Sequence, residues 1–180
     1  EAEADDWIII SDLDEIPNPK NIKLFKSNMR FAVFKQLHFY YKLNLQSQKN
    51  PYWYGSRICV KKYLKSPQWL RNLKFKKRPF WRIDKLRLNN IIENGGWHFS
   101  NLKNLDDLER KYLNDENYAE YLLQGYSKEM IKENLINKSI GYNHSAKKNS
   151  KERFQSTKLE KTSLNILPKY LLNNIDKILF

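Results

Sequence analysis

The sequence lacks the features of a disulfide-bonded or membrane-spanning protein. Cys59 is the single cysteine among 180 residues, so no internal disulfide can form, which argues against a small secreted domain stabilised by disulfides. No apolar run approaches the roughly 18 residues that a membrane-spanning helix needs, and the first residues do not form a signal peptide. There is no internal repeat. The compartment therefore stays unknown, with a cytoplasmic or membrane-associated location expected if the source is bacterial.

Positive charge is in excess, at a formal net charge of +13. Much of it falls in one interval that also contains several aromatic residues, a pattern typical of surfaces that bind nucleic acid or phosphate. A solvated face, or attraction to an anionic membrane, produces the same pattern, and we favour these two interpretations. The basic residues of the interval are Lys61, Lys62, Lys65, Arg71, Lys74, Lys76, Lys77, Arg78, Arg82, Lys85 and Arg87.

Three carboxylates follow a short apolar run near the start of the chain. The run, Trp7–Ile10, predicts a strand that is buried on both faces, since it offers no polar side to water. Asp12, Asp14 and Glu15 come next, and Pro17 then removes a backbone donor. In open α/β sheets ligands bind beyond the carboxyl ends of strands, so we expect these acids at a binding site.

Carboxylates this close together repel one another unless a cation compensates. Hard divalent ions such as Mg²⁺ or Mn²⁺ take oxygen ligands and often share them with substrate phosphates. The sequence therefore favours a metal site with a phosphorylated ligand. The alternative is an acidic loop without function that caps the next helix, with Asn18 as the N-cap and Pro19 in the first turn.

The remaining patterns predict a mixed α/β chain. Alternation over residues 31–45 predicts a long strand, bent or bulged, and Tyr52–Val60 its antiparallel neighbour, with Gly55 at a bulge or close backbone approach. Short helices are predicted over 21–28 and 68–73, and strands over 80–83 and 97–100. Three helices are predicted next: one after Leu102, one over 116–124 and one that begins at Ser127. A mobile loop over 141–161 and a last helix over 169–179, opened by Pro168, complete the prediction.

Four stretches together resemble glycosyltransferase family 17, the group that contains the bisecting β-1,4-N-acetylglucosaminyltransferases. They lie in the same order and cover roughly the first hundred residues, and a weaker similarity follows over residues 167–174. The stretches are Asp6-Trp7-Ile8-Ile9-Ile10-Ser11-Asp12-Leu13-Asp14-Glu15-Ile16-Pro17, His38-Phe39-Tyr40-Tyr41-Lys42-Leu43-Asn44, Trp53-Tyr54-Gly55-Ser56-Arg57 and Gly95-Gly96-Trp97-His98-Phe99-Ser100.

The resemblance implies a GT-A-like fold, in which a mixed sheet is flanked by helices and the C-terminal half is mostly helical. It implies one catalytic-domain fragment over residues 1–180, because transferases of this kind carry a nucleotide-binding βαβ region before the strand that leads to the acids. We expect that region to be missing upstream.

The resemblance also implies roles for individual residues. Asp12 and Asp14 would hold Mn²⁺ or Mg²⁺, which neutralises the diphosphate of a UDP-sugar donor. His98 would be a further metal ligand or a donor to the diphosphate, while Trp97 packs against the sugar. Glu15 would hold the loop or contact the sugar.

The enzymes of this family invert the anomeric centre, which requires a base for the acceptor hydroxyl. Glu93 and Glu120 are the candidates. The family's Ser-x-Ser-His-x-Glu-like stretch has no counterpart here, since residues 114–120 lack a histidine. His144, in the polar loop, is a further candidate for completing the metal site.

The expected function is therefore a metal-dependent transfer of a sugar, N-acetylglucosamine by resemblance, from UDP to a glycan acceptor. We expect no specific nucleic-acid partner, and peripheral contact with an anionic membrane is compatible with the charge. Two alternatives stay open: a non-catalytic basic domain that binds RNA or another polyanion, and a haloacid-dehalogenase-like phosphatase. The phosphatase would use Asp12 as nucleophile, but it needs Thr or Val where Ile16 stands.

Overall fold

A computed structural model describes residues 1–73, 90–115, 118–123, 127–142 and 155–174. The chain is mixed α/β and divides into two compact units. The first unit comprises Glu1–His38 and Tyr52–His98, and the second Phe39–Pro51 and Phe99–Phe180. The single catalytic-domain fragment expected from the sequence stays a prediction.

Short strands and short helices make up both units. The strands are β1 (Trp7–Ile10), β2 (Glu15–Pro17), β3 (Phe31–Tyr40), β4 (Leu45–Gln46), β5 (Tyr52–Val60), β6 (Ile91–Ile92), β7 (Gly96–Ser100), β8 (Ser139–Ile140), β9 (Thr157–Lys158) and β10 (Glu160–Lys161). The α-helices are α1 (Pro67–Asn72), α2 (Leu105–Leu113), α3 (Tyr118–Leu123), α4 (Lys128–Ile136) and α5 (Lys169–Asn173). No helix among the described residues is long and apolar enough to cross a membrane.

In the first unit β5 lies between β1 and β3 and pairs antiparallel with both. Between the pairs Val33–Arg57 and Lys35–Tyr54, two residues of β5, Gly55 and Ser56, face one residue of β3, so the bulge lies in β5 and confirms the bulge predicted at Gly55. β6 runs parallel to β3, and β2 pairs antiparallel with β7. Most pairings are antiparallel, so the rule for parallel sheets that we used to place a site after β1 does not apply here.

Both faces of β3 and β5 are covered by apolar clusters, because neighbouring residues of a strand point to opposite faces. Phe34 and Ile58 belong to a buried cluster on one face, and Val33 and Cys59 to a cluster on the other. Burial also raises the pKa of the Cys59 thiol to about 11. β3 and β5 are therefore inner strands, and the continuous apolar start of β3, Phe31 to Phe34, is buried.

β1 differs from its prediction. Ile9 packs against one cluster and Ile8 and Ile10 against the other, so both faces do contact the core. However, β1 pairs only with β5 among the described strands, and Trp7 is 43% exposed. The prediction of burial on both faces is therefore met only in part: both faces contact the core, but Trp7 is exposed and Ile8, Ile9 and Ile10 are half-buried.

Local capping follows the sequence closely. Asn18 accepts a hydrogen bond from the backbone N–H of Lys20 at the start of a 3₁₀ helix, Pro19–Leu24, as the predicted cap and first-turn proline require. Ser66 caps α1 and Ser127 caps α4 in the same way, each accepting from the N–H three residues on.

In the second unit an apolar cluster gathers residues from α2, α3 and α4, including Leu108, Tyr121 and Ile131. Lys128, in the first turn of α4, forms ion pairs with Asp106 (2.8 Å) and Glu109 (2.9 Å) of α2. β4 pairs with β10, and β8 with β9.

Several sequence predictions for the rest of the chain need correction. The loop expected over residues 141–161 contains β9 and β10. The helix over 116–124 is α3, and its expected end at Gly125 lies outside the described residues. The last helix, expected over 169–179, ends at Asn173. Residues 175–179, the strand expected over 80–83 and His144 lie outside the described residues.

Candidate functional site

The acid loop lies in the first unit between β1 and β2. The backbone N–H of Glu15 donates to the carbonyl of Asp12 at 3.1 Å and closes a tight turn. Immediately afterwards Glu15 becomes the cross-strand partner of His98, where β2 pairs with β7. The pairing of β2 with β7 therefore brings the acids of the loop to the histidine.

Asp14 and His98 are in direct contact. The Nε2 atom of His98 lies 3.3 Å from Oδ2 of Asp14. The imidazole is buried, with 8% of its side chain exposed, whereas 41% of the Asp14 side chain is exposed. The pair therefore consists of a fixed ring and a carboxylate that solvent or a ligand can reach.

Two aromatic rings hold the His98 imidazole in place. The His38 ring stacks on it with centroids 4.4 Å apart and an interplanar angle of 16°. The Trp53 indole lies against it at 4.9 Å and 39°. Contacts of this kind restrict rotation of the imidazole, which keeps its Nε2 atom directed toward Asp14.

Glu15 lies beneath the loop as a buried hydrogen-bond acceptor, with only 8% of the residue exposed. Its carboxylate accepts from Trp53 Nε1 at 2.8 Å, from Ser56 Oγ at 3.1 Å and from the backbone N–H of Asp12 at 3.3 Å. A buried carboxylate needs such donors, since desolvation without them is costly. Glu15 thus connects the loop to β5.

A second row of polar side chains supports Glu15 from the sheet. Gln36, which is fully buried, donates to Ser56 Oγ at 3.1 Å and accepts from the Ser56 backbone N–H at 3.3 Å. The hydroxyls of Ser11 and Ser56 also form a hydrogen bond. A Cβ atom on Gly55 would overlap the side chains of Gln36 and Glu15, so the groups that approach this glycine closely are side chains and not another backbone segment.

We expect Trp53→Phe to lower the free energy of unfolding by about 1–3 kcal/mol, because it keeps an aromatic ring but leaves a buried Glu15 oxygen without its N–H donor. Urea unfolding followed by circular dichroism measures the change. Trp7→Phe, at a residue that is 43% exposed, is the matched control and should cost less than about 1 kcal/mol. Equal losses in the two variants would contradict this account of Glu15.

Asp12 is directed toward a different partner from Asp14. Its Oδ2 atom lies 2.7 Å from the guanidinium of Arg71, in the last turn of α1. Arg57 lies nearby, half-buried, and donates to the carbonyls of Leu73 (3.2 Å) and Gly55 (2.8 Å). Burial lowers the pKa of Arg57, and repulsion from Arg71 adds to this, while the charges of Glu15 and Asp12 oppose it.

The glycine pair forms a tight turn at the end of β2 that lies away from the acid loop, where Gly96 is opposite Pro17. Gly96 has a φ of +124°, in the region that favours glycine, and a Cβ there would overlap the carbonyl oxygen of Ile16. The backbone N–H of Asn18 donates to the Gly95 carbonyl at 2.9 Å. The Asn21 side chain donates to the Asn94 carbonyl at 2.9 Å. These contacts tie the turn to the segment that follows β2.

Not all predicted site residues join this cluster. Glu93 forms an ion pair with Lys35 at 3.0 Å, which raises the pKa of Lys35. Because Lys35 precedes Gln36 in β3, its side chain points to the opposite face from the Glu15 network. Trp97 is the cross-strand partner of Ile16, so by the same alternation it lies on the other face of its strand from His98. Glu120 lies in α3, where the side chain is not described.

Within the described ranges, no group of three or more His, Cys, Asp or Glu side chains has the arrangement of a metal site. Asp14 and His98 are adjacent, while Asp12 is paired with Arg71. Of the three predicted metal ligands, two are therefore in contact with each other and the third, Asp12, is bound by an arginine. The metal site itself stays a prediction.

Sequence reasoning missed the residues that orient the predicted ones: His38, Trp53, Ser56 and Arg71. One signal was available. Gln36 and His38 are polar residues two positions apart on one face of a mostly apolar strand, and both are buried. Buried polar residues with that spacing indicate a polar network inside a sheet.

Comparisons of the chain with protein-family models, with curated proteins and with solved structures give no match.

Proposed function

We propose that this chain is a divalent-metal-dependent glycosyltransferase with a GT-A-type fold. In this proposal it transfers N-acetylglucosamine from a UDP-sugar to a glycan acceptor with inversion. The observation that carries the proposal is the contact between Asp14 and His98, an exposed carboxylate beside a buried imidazole that is held by two rings. The mixed α/β fold and the resemblance to glycosyltransferase family 17 support it.

The donor set fits a divalent ion in part. Asp14 and His98 offer an oxygen and a nitrogen atom 3.3 Å apart, in positions that the surrounding hydrogen bonds and rings hold. Asp12 would add a second carboxylate after leaving Arg71. Because Mg²⁺ strongly prefers oxygen ligands, the imidazole favours Mn²⁺ in this proposal. The bound ion would stabilise the negative charge of the UDP leaving group.

The residues around the metal ligands have supporting roles. Glu15 fixes the loop through the Asp12 backbone N–H, so that Asp14 keeps its place beside His98. The Gly95-Gly96 turn lets β7 pair closely with β2, since a Cβ on Gly96 would overlap the carbonyl oxygen of Ile16, and this pairing places His98 opposite Glu15. Trp97 stays a candidate for contact with the donor sugar.

The base for the acceptor hydroxyl stays a proposal with two candidates. Glu93 is 58% exposed at its side chain but is engaged with Lys35, so it would act only after that ion pair opens. Glu120 belongs to the second unit. The acceptor and linkage are those of the resembling family.

Removal of the metal is the direct test of this function. We expect UDP to bind in the presence of Mn²⁺ and to lose at least about tenfold in affinity when EDTA is added, because the diphosphate would then face unshielded carboxylates. Calorimetric titration measures both affinities, and transfer from UDP-N-acetylglucosamine to a glycan acceptor tests turnover. An affinity for UDP that EDTA leaves unchanged would contradict the proposal.

Salt separates this function from the polyanion-binding alternative. Binding that depends on many Lys and Arg residues falls steeply between about 50 and 200 mM salt. We expect the EDTA-sensitive binding of UDP to change far less over that range, since few charges would be involved. Contact of the basic interval with an anionic membrane stays part of the proposal. Much of that interval lies outside the residues that the structure describes.

A further inference from the structure

Arg71 occupies the carboxylate that the proposed metal would need. Its guanidinium lies 2.7 Å from Asp12 Oδ2, and 53% of the Arg71 side chain and 37% of the Asp12 side chain are exposed. An ion pair this open to solvent is weak and exchanges its partners easily. Arg71 is therefore held in place by a contact that a competing cation can replace.

Arg57 provides a contrast within the same site. Two backbone carbonyls, those of Leu73 and Gly55, hold its guanidinium, and it is half-buried. The site thus contains one guanidinium fixed by the fold and one, Arg71, on the surface of α1 and paired with an acid of the loop. Their mutual repulsion favours an anion between or beside them.

We propose that Arg71 is a diphosphate-binding residue that releases Asp12 when a divalent cation enters and then binds a phosphate group of the nucleotide. This inference rests on the proposed function and adds to it a specific recognition residue. It also adds an order of events, in which the cation binds first and the nucleoside diphosphate second. Each of the two therefore promotes the binding of the other.

The charges of the site explain the exchange. A divalent cation beside Asp14 attracts the Asp12 carboxylate and repels the Arg71 guanidinium, so the two cations compete for one acid. A diphosphate reverses this repulsion, since its oxygens can accept from the guanidinium while they share the metal. The planar guanidinium matches phosphate as well as it matches carboxylate, with parallel hydrogen bonds to two oxygens.

The variant Arg71→Ala should change two affinities in opposite directions. In the absence of nucleotide, Mn²⁺ should bind about two- to fivefold more tightly, because the ion pair that competes for Asp12 is gone. In the presence of Mn²⁺, UDP should bind about tenfold or more weakly, because a charge-assisted contact to phosphate is lost. Mn²⁺ binding is followed by electron paramagnetic resonance and UDP binding by calorimetry.

Two further variants complete the experiment. Arg71→Lys keeps the charge without the planar fork, so its affinity for UDP should lie between those of the wild type and Arg71→Ala. Lys62→Ala removes another surface cation, which pairs with Asp5 at 2.6 Å, and should change neither affinity. Circular dichroism of each variant checks that the fold is kept.

The outcomes separate this inference from the function on which it rests. If wild-type protein binds UDP in a Mn²⁺-dependent manner and Arg71→Ala binds it equally well, the inference is overturned and the proposed function stands. If Arg71→Ala weakens Mn²⁺ and UDP binding together, Arg71 only supports the loop, and the inference is again overturned. If the wild type binds neither, both fail.

Discussion

Asp14→Asn is expected to abolish the Mn²⁺-dependent binding of UDP. The amide keeps the shape of the side chain beside His98 but removes the charge that attracts a divalent ion. Because loss of a residue that merely orients a metal ligand costs about 10–100-fold in metal affinity, we expect loss of Asp14, the proposed direct ligand, to cost at least about 100-fold. Electron paramagnetic resonance of free and bound Mn²⁺ measures the effect.

The matched control is Asp5→Asn, which removes an equal charge seven residues before Asp12 and only disturbs a surface ion pair with Lys62. Its Mn²⁺ affinity should equal that of the wild type. If Asp5→Asn and Asp14→Asn weakened Mn²⁺ equally, general surface charge would explain the binding, and the loop would have no specific role.

Gly96→Ala is expected to give the largest loss of stability, about 3 kcal/mol or more in the free energy of unfolding. The backbone at Gly96 has a φ of +124°, and the added methyl group would overlap the carbonyl oxygen of Ile16 in the paired strand. Since the obstacle is backbone, β2 and β7 would have to separate, and with them Glu15 and His98. Urea unfolding measures the loss.

Asn94→Gly tests whether any substitution in this turn lowers the stability of the fold. Asn94 also has a positive φ, +49°, so glycine fits its conformation, and we expect a change below about 1 kcal/mol. If Gly96→Ala were as stable as the wild type, β2 and β7 would not pair as described here.

Local patterns predicted the local structure well. The period of two over residues 31–45 predicted a strand, which the structure ends at Tyr40 as β3, because side chains of a strand alternate regardless of tertiary context. Tyr52–Val60 was correctly predicted as its antiparallel neighbour, β5. The caps at Asn18 and Ser127 were equally readable, since a cap depends on a few neighbouring residues.

Non-local features could not be read in the same way. The sequence presents Asp12, Asp14 and Glu15 as three similar acids, yet the structure directs one to Arg71, one to His98 and one into the interior. Which acid goes where depends on the β2–β7 register and on the position of α1, and neither leaves a trace in the loop's own sequence.

The error over residues 141–161 has a different cause. β9 and β10 are two-residue strands, too short to show alternation, and β10 consists of the exposed residues Glu160 and Lys161. One apolar residue, Leu159, is buried between them and contributes to the cluster of the second unit. A single buried side chain in a polar stretch gives no periodic signal.

The central claim is that the fold holds a divalent ion between Asp14 and His98 for the diphosphate of a nucleotide. Its most direct test is a crystal structure of the chain with Mn²⁺ and UDP, with anomalous differences recorded at the manganese absorption edge. We expect one peak bonded to Asp14 and His98, with a phosphate oxygen of UDP in the same coordination shell and Arg71 turned from Asp12 to the diphosphate. UDP bound with no manganese at these two residues would contradict the account.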